Sequence, residues 1–202
     1  MLFGVTGGIG SGKTAVCACL KVKNIPIIEA DPLARELTQT VPEIRDELVA
    51  TFGQDLFSAC GDLNKEELAK LVFSDVAARE QINRIIHPHV LNAIREQAEE
   101  FRLQGNQLVG VEAALIYESG MQEMLDAVVV VDAPLGHRMQ WIQERNHLTV
   151  AEATKRIDSQ MSVEQKVARA DYVLLNNGSL IDLSRKVDEL HLWLSAKEKS
   201  SS

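Results

Sequence analysis

Leu2-Phe3-Gly4-Val5-Thr6-Gly7-Gly8-Ile9-Gly10-Ser11-Gly12-Lys13-Thr14 joins a short apolar run to a glycine cluster and a Lys-Thr pair. Residues 7–14 fit the pattern G-x-x-x-x-G-K-[ST] in full. Glycines let consecutive backbone N–H groups turn inward on phosphate oxygens, and a helix that follows aims its positive end at the same place. Lys13 can neutralise the outer phosphates, and the Thr14 hydroxyl can ligate Mg²⁺. From Lys13 to about Lys23 the small and aliphatic residues read as that helix, so the first unit is strand, phosphate loop, helix. The competing reading is a Gly-rich turn that merely caps an ordinary helix.

Further short apolar runs occur at residues 25–28, 108–111, 127–131 and 172–175, separated by sequence of helical periodicity. Strands buried on both faces read as continuous Val/Ile/Leu runs, so this alternation predicts an α/β fold with a five-stranded parallel sheet. Between the second and third runs lie helical patterns over 42–51, 64–73 and 75–102, too long for a simple crossover. They are read as a helical subdomain inserted at about 32–104, with His87-Pro88 breaking and restarting a helix. Thr149, with Glu152 three residues on, predicts a capping box opening a helix through Ser159. Leu183, Val187, Leu190 and Leu194 form a core stripe at helical spacing, and residues 196–202 are expected to fray.

The chain carries 21 Lys+Arg against 29 Asp+Glu, a formal charge of −8. That balance argues against nonspecific binding to nucleic acid or anionic membrane, so any phosphate site must be concentrated. No apolar run approaches the roughly 20 residues that span a bilayer, and no leader pattern is seen, so a cytoplasmic protein is expected. Cys17, Cys19 and Cys60 complete no zinc or disulfide pattern and read as reduced thiols. His89, His137, His147 and His191 show no metal-ligand pairing and read as surface or packing residues.

Switch GTPases, motor ATPases and small-molecule kinases share the phosphate loop, and a second motif must separate them. No late Asn-Lys-x-Asp segment supports guanine selectivity, and the length and acidity do not suit a nucleic-acid motor. Kinases of small metabolites remain the leading class. Asp31 in Glu29-Ala30-Asp31-Pro32 follows the second apolar run, at the strand end where parallel sheets place ligands. It is either a base for an attacking hydroxyl or the cap of a helix starting at Pro32. Glu112, ending the third run, is either an acidic group behind Mg²⁺ or the ordinary start of a loop.

The chain resembles the dephospho-CoA kinase family almost end to end. The carriers are residues 4–14, Ala30-Asp31 with Ala34-Arg35, Phe52-Gly53, Val72-Phe73, Ile86-His87-Pro88, Leu115-Ile116-Tyr117-Glu118, Val131-Asp132-Ala133, Arg156-Ile157 with Gln160, and Ala170-Asp171 with Asn176. The resemblance implies a P-loop three-layer kinase core, a helical substrate-binding region and a helical lid over about 134–165. It implies ATP with Mg²⁺ at Gly8, Ile9, Gly10, Ser11, Gly12, Lys13 and Thr14, and dephospho-CoA as acceptor near Asp31, Arg35, His87, Pro88 and Glu118. Asp31 falls on the family's proposed base, and Arg145 on the lid arginine that reaches the phosphates.

The sequence departs from the family at several points. Glu29 stands where Asp is usual, Asn64-Lys65 where Asp-Arg is usual, and Ala114 where a Pro is usual. Arg138 and Trp141 stand where Gln and Arg are usual, so one lid arginine is missing. Arg138 lies two helical turns before Arg145 on nearly the same face, from which it could supply that charge. The expected reaction is phosphorylation of the ribose 3′-hydroxyl of dephospho-CoA. The alternatives are another metabolite or nucleoside kinase, or a nucleotide-binding regulatory protein with weakened catalysis.

Overall fold

The computed structural model describes residues 1–58, 63–64, 67–68, 71, 76–146 and 148–201. Cys60, Lys65, Val72, Phe73 and His147 lie outside them, as does most of the helix expected over 64–73. The described chain forms two compact units, one of Met1–Glu29 with Gln97–Ser202 and one of Ala30–Glu96.

The first unit is built on five strands: β1 (Leu2–Gly7), β2 (Ile27–Glu29), β3 (Val109–Glu112), β4 (Ala127–Asp132) and β5 (Tyr172–Leu175). All pairings are parallel, in the order β2-β3-β1-β4-β5. After β1 the chain passes to the edge strand β2 and comes back to lay β3 between β2 and β1, then crosses to the other side of β1 for β4 and β5. The carboxyl end of β1 is therefore the switch point where open α/β sheets bind ligands. Alternate residues of β1 and β4, Phe3, Val5, Val129 and Val131, are fully buried in one cluster with Val16 and Leu20 of α1 (Lys13–Val22). The 183/187/190/194 stripe of the carboxyl-terminal helix joins that cluster, each residue at most 3 % exposed. Cys17 is buried there as well, and burial followed by the charge of Glu112 pushes its thiol pKa up, which keeps it an inert core group.

Several strand boundaries differ from the apolar runs by one or two residues. The Ile25 N–H bonds back to the Leu20 carbonyl at 3.2 Å and closes α1, and Pro26 has no N–H to give, so β2 starts at Ile27. β3 runs one residue further than expected and brings Glu112 into register with Val5 and Glu29.

The second unit contains α2 (Ala30–Thr40), α3 (Pro42–Phe52) and the greater part of α4 (Val76–Leu103). Ile44, Leu48, Leu56, Phe57 and Ile82 form its core, with Ile85 and Ile86 packed against them. The expected helix break at His87-Pro88 is absent: α4 is continuous with Pro88 inside it. Burial explains this. Ile82 before the proline, and Val90 and Ile94 after it, are all at most 5 % exposed, whereas Pro88 faces solvent. The lost N–H bond is thus on the wet side, and packing on the dry side offsets its cost of about 3 kcal/mol.

In the rest of the first unit, α5 (Leu135–Asn146) and α6 (Val150–Asp158) lead to a short α7 (Val163–Val167) and, after β5, to α8 (Leu180–Ser201). The Thr149–Glu152 capping box opens α6 as expected, with the Glu152 N–H donating to Thr149 Oγ1 at 3.3 Å. Helix α8 continues through Ser201, over residues for which fraying is expected. No described helix is long and apolar enough to cross a membrane.

Because Pro88 occupies a continuous, solvent-facing helical position, Pro88→Ala should stabilise the protein. A gain of about 1–3 kcal/mol in the helix, reduced by up to about 1 kcal/mol from the looser unfolded chain, corresponds to a few degrees in Tm. Differential scanning calorimetry checks this, and an unchanged or lower Tm would contradict the continuous helix.

Candidate active site

The loop between β1 and α1 is folded by its own glycines and by side chains arriving from behind. Gly12, at the N-cap of α1, sits in the left-handed region with φ 90° and ψ 22°. A Cβ there would also strike the Asn176 amide. That amide donates to the Ser11 carbonyl at 3.0 Å, and Asn176, just past β5, is 7 % exposed. Gly8 is required by a close approach: a Cβ on it would meet the Arg138 guanidinium. Arg138, 5 % exposed, donates from Nε to the Ile9 carbonyl at 3.1 Å.

Lys13 Nζ curls over the loop and donates to the Gly7 and Gly8 carbonyls, each at 3.3 Å. The Thr14 hydroxyl donates to Glu112 Oε1 at 2.8 Å, so the expected metal ligand and the expected acidic group behind it are in direct contact. A hydroxyl and a carboxylate offer the hard oxygen donors that Mg²⁺ takes, and this ion uses one or two protein oxygens and takes the rest from phosphates and water. Among the described residues no cluster of three or more His, Cys, Asp or Glu could hold a metal.

Arg138 also lines a cleft of about 930 Å³ with Asp132, Gln160, Met161, Glu164 and Leu175. Burial pulls the Arg138 pKa down, while Asp132 and Glu164 act against that shift. Gln160 Oε1 and Ser11 Oγ are buried with no hydrogen-bond partner in the described structure.

The remaining expected residues are distributed as follows. Asp31 lies in the first turn of α2, which begins at Ala30 rather than Pro32, and is exposed, as is Arg35 one turn on. His87 and Pro88 are consecutive in α4, and burial holds the His87 pKa below its ordinary value. Arg145 is in the last turn of α5 by its backbone, and its side chain is outside the described groups. Glu29 pairs with Lys21 at 2.5 Å, a contact that raises the Lys21 pKa. Glu118 Oε1 is 2.9 Å from Lys166 Nζ and accepts from the Met161 N–H at 3.0 Å.

Sequence reasoning missed Lys166 and gave Asn176 no role. A lysine on a five-residue helix carries every mark of a solvent-facing side chain, and nothing local announces its full burial. Asn176 immediately follows the last apolar run, and its position at a strand's carboxyl end was the available signal.

A family model described as dephospho-CoA kinase matches residues 1–182. The chain is 39 % identical over 188 residues to dephospho-CoA kinase of Salinibacter ruber, covering 93 % of this chain and 94 % of that one. A crystal structure of a Thermus thermophilus protein superposes with TM-score 0.81 at 33 % identity, covering 96 % and 97 % of the two chains. The dephospho-CoA kinase structure from Campylobacter jejuni has TM-score 0.71 at 25 % identity, again covering 96 % and 97 %.

Gly12→Ala should strain the left-handed N-cap and displace Asn176 from Ser11. A loss of about 1–3 kcal/mol is expected, or roughly 2–4 °C in Tm per kcal/mol, together with at least tenfold weaker ATP binding. Thermal unfolding and a nucleotide titration read both, and unaltered ATP affinity would contradict the assigned geometry.

Proposed function

Since the chain belongs to the dephospho-CoA kinase family, we propose that it transfers the γ-phosphoryl group of ATP to the ribose 3′-hydroxyl of dephospho-CoA, releasing coenzyme A and ADP. The observation that carries this reading is the phosphate loop with Lys13 bonded to its Gly7 and Gly8 carbonyls and the Thr14–Glu112 pair beside it. A lysine and a metal-competent hydroxyl at the outer phosphates serve nucleotide binding as well as transfer, so the preference for a kinase over a binding-only protein rests on membership of the family.

In this mechanism backbone N–H groups of the loop from Gly8 to Thr14, other than that of Ser11, which donates to the Gly8 carbonyl at 3.1 Å, hold the phosphate oxygens, and the positive end of α1 adds to their attraction. Lys13 leaves its resting carbonyl contacts to bridge the outer phosphates. Thr14, with Glu112 behind it, would hold Mg²⁺, which when bound would offset the charge of the phosphates. Arg138, fixed against Gly8 and Ile9, adds a buried positive charge behind the loop, in partial replacement of the missing lid arginine. Arg145, matched by resemblance to the lid arginine, closes on the γ-phosphate and meets the charge that grows during in-line transfer.

Asp31, matched to the family's base, accepts or steers the proton of the 3′-hydroxyl. Arg35, His87 and Pro88 belong to the acceptor side on the same grounds, and a His87 kept neutral by burial can accept a hydrogen bond as well as donate one. Closure of the lid excludes water, which would otherwise compete as acceptor. The reading also takes the protein to be cytoplasmic, with neither nucleic acid nor membrane as partner.

Lys13→Ala should fold normally and lose about 10²–10³-fold or more in kcat. The same assay, run with ATP, Mg²⁺ and a panel of hydroxyl acceptors, should give the highest kcat/KM for dephospho-CoA. Undiminished transfer by Lys13→Ala would remove the cradle from the mechanism, and preference for another acceptor would move the chain's activity elsewhere.

A further inference from the structure

Lys166 is fully buried, and no step above uses it. Its ammonium donates to the Ala114 carbonyl at 2.6 Å and pairs with Glu118 Oε1 at 2.9 Å. Each of those oxygens has a second donor: the Thr6 hydroxyl reaches Ala114 at 3.2 Å, and the Met161 N–H reaches Glu118 at 3.0 Å. One cation therefore ties the end of β1, the turn after β3 and the α6–α7 connection into a single knot. That connection and α7 line the same cleft as Asp132 and Arg138.

Burying a lysine is expensive, and replacing a buried ion pair by apolar side chains of similar size is often neutral or stabilising. Stability alone therefore gives little reason for the pair. What an ammonium supplies, and a methionine of similar volume does not, is directional grip on two fixed oxygens. Resting on the kinase reading, we propose that Lys166 and Glu118 are a positioning pair for phosphoryl transfer. They hold the 161–167 wall of the cleft in register with the turn that follows Glu112. Glu118 acts through Lys166 and Met161 rather than by touching the acceptor. Asn176 and Arg138 brace the nucleotide loop without passing through this knot, so loosening the pair should misplace reacting groups without weakening ATP binding. Small misplacements can cost up to about 10²-fold in rate.

The test compares Glu118→Leu, Lys166→Met and the double variant, which replaces the whole ion pair by an apolar contact and is the variant most certain to fold. For each, kcat and both KM values are measured with ATP and dephospho-CoA, and exchange of the Met161 amide hydrogen is followed. The expected result is a kcat lowered about tenfold in all three, with the double no worse than either single. KM for ATP should stay within about twofold, and Met161 exchange should be faster wherever Glu118 is absent. Glu118→Gln keeps an acceptor oxygen and should recover most of the kcat.

A double variant with about a hundredfold loss, the product of its singles, would overturn the proposal in favour of independent roles. So would a folded double variant with wild-type kcat, or a Glu118→Leu change confined to KM for dephospho-CoA. If a single variant does not fold, the double and Glu118→Gln still decide. The kinase reading fails separately, when the wild-type protein makes no coenzyme A; Met161 exchange still reports on the knot in that event.

Discussion

The β1–α1 loop has one turn bond of its own, from the Ser11 N–H to the Gly8 carbonyl at 3.1 Å, so side chains outside it must fix its other carbonyls. Here that constraint is met from behind. Arg138 takes the Ile9 carbonyl, Asn176 takes the Ser11 carbonyl, and Thr14 anchors the start of α1 to Glu112 on the neighbouring strand. The three supports come from α5, the end of β5 and β3, elements brought to one point only because β1 lies mid-sheet with its carboxyl end at the switch point. Nucleotide binding at this site thus depends on the completed sheet, and the sheet on the buried cluster beneath β1 and β4.

Electrostatics concentrate at the same point. A chain of net charge −8 repels polyanions at long range, and a Debye length of about 8 Å at physiological salt limits how far that repulsion reaches. Within that distance the backbone dipoles, Lys13 and the buried Arg138 dominate. Low surroundings of solvent make each of them more effective than an exposed charge would be. Lys166 represents the other use of a buried cation, in which the charge is spent on protein oxygens and fixes a wall instead of a ligand.

Much of this was legible in the chain. The five apolar runs became five strands because strands covered on both faces leave a continuous signature, and 7–14 became the phosphate loop because few backbones other than a glycine-rich one can adopt it. The misreadings have physical causes. Pro26 has no N–H to pair and delays β2. Pro88 obeys the helix-breaking rule in isolation, yet the burial of Ile82, Val90 and Ile94 around it keeps α4 whole. Lys166 was invisible because its partners, Ala114 and Glu118, lie some fifty residues away in sequence and meet it only when β3 and β4 are laid down on either side of β1. Contacts of that range are set by topology, which no local pattern encodes.

The function proposed for this chain requires the cradle to be a phosphoryl donor site for one particular alcohol. Phosphorus NMR of the wild-type protein turning over ATP, Mg²⁺ and dephospho-CoA tests this most directly. A new phosphomonoester resonance, coupled to the ribose 3′ proton, should grow in step with ADP. Growth of inorganic phosphate in its place, or an ATP spectrum that broadens on binding and never changes further, would contradict it.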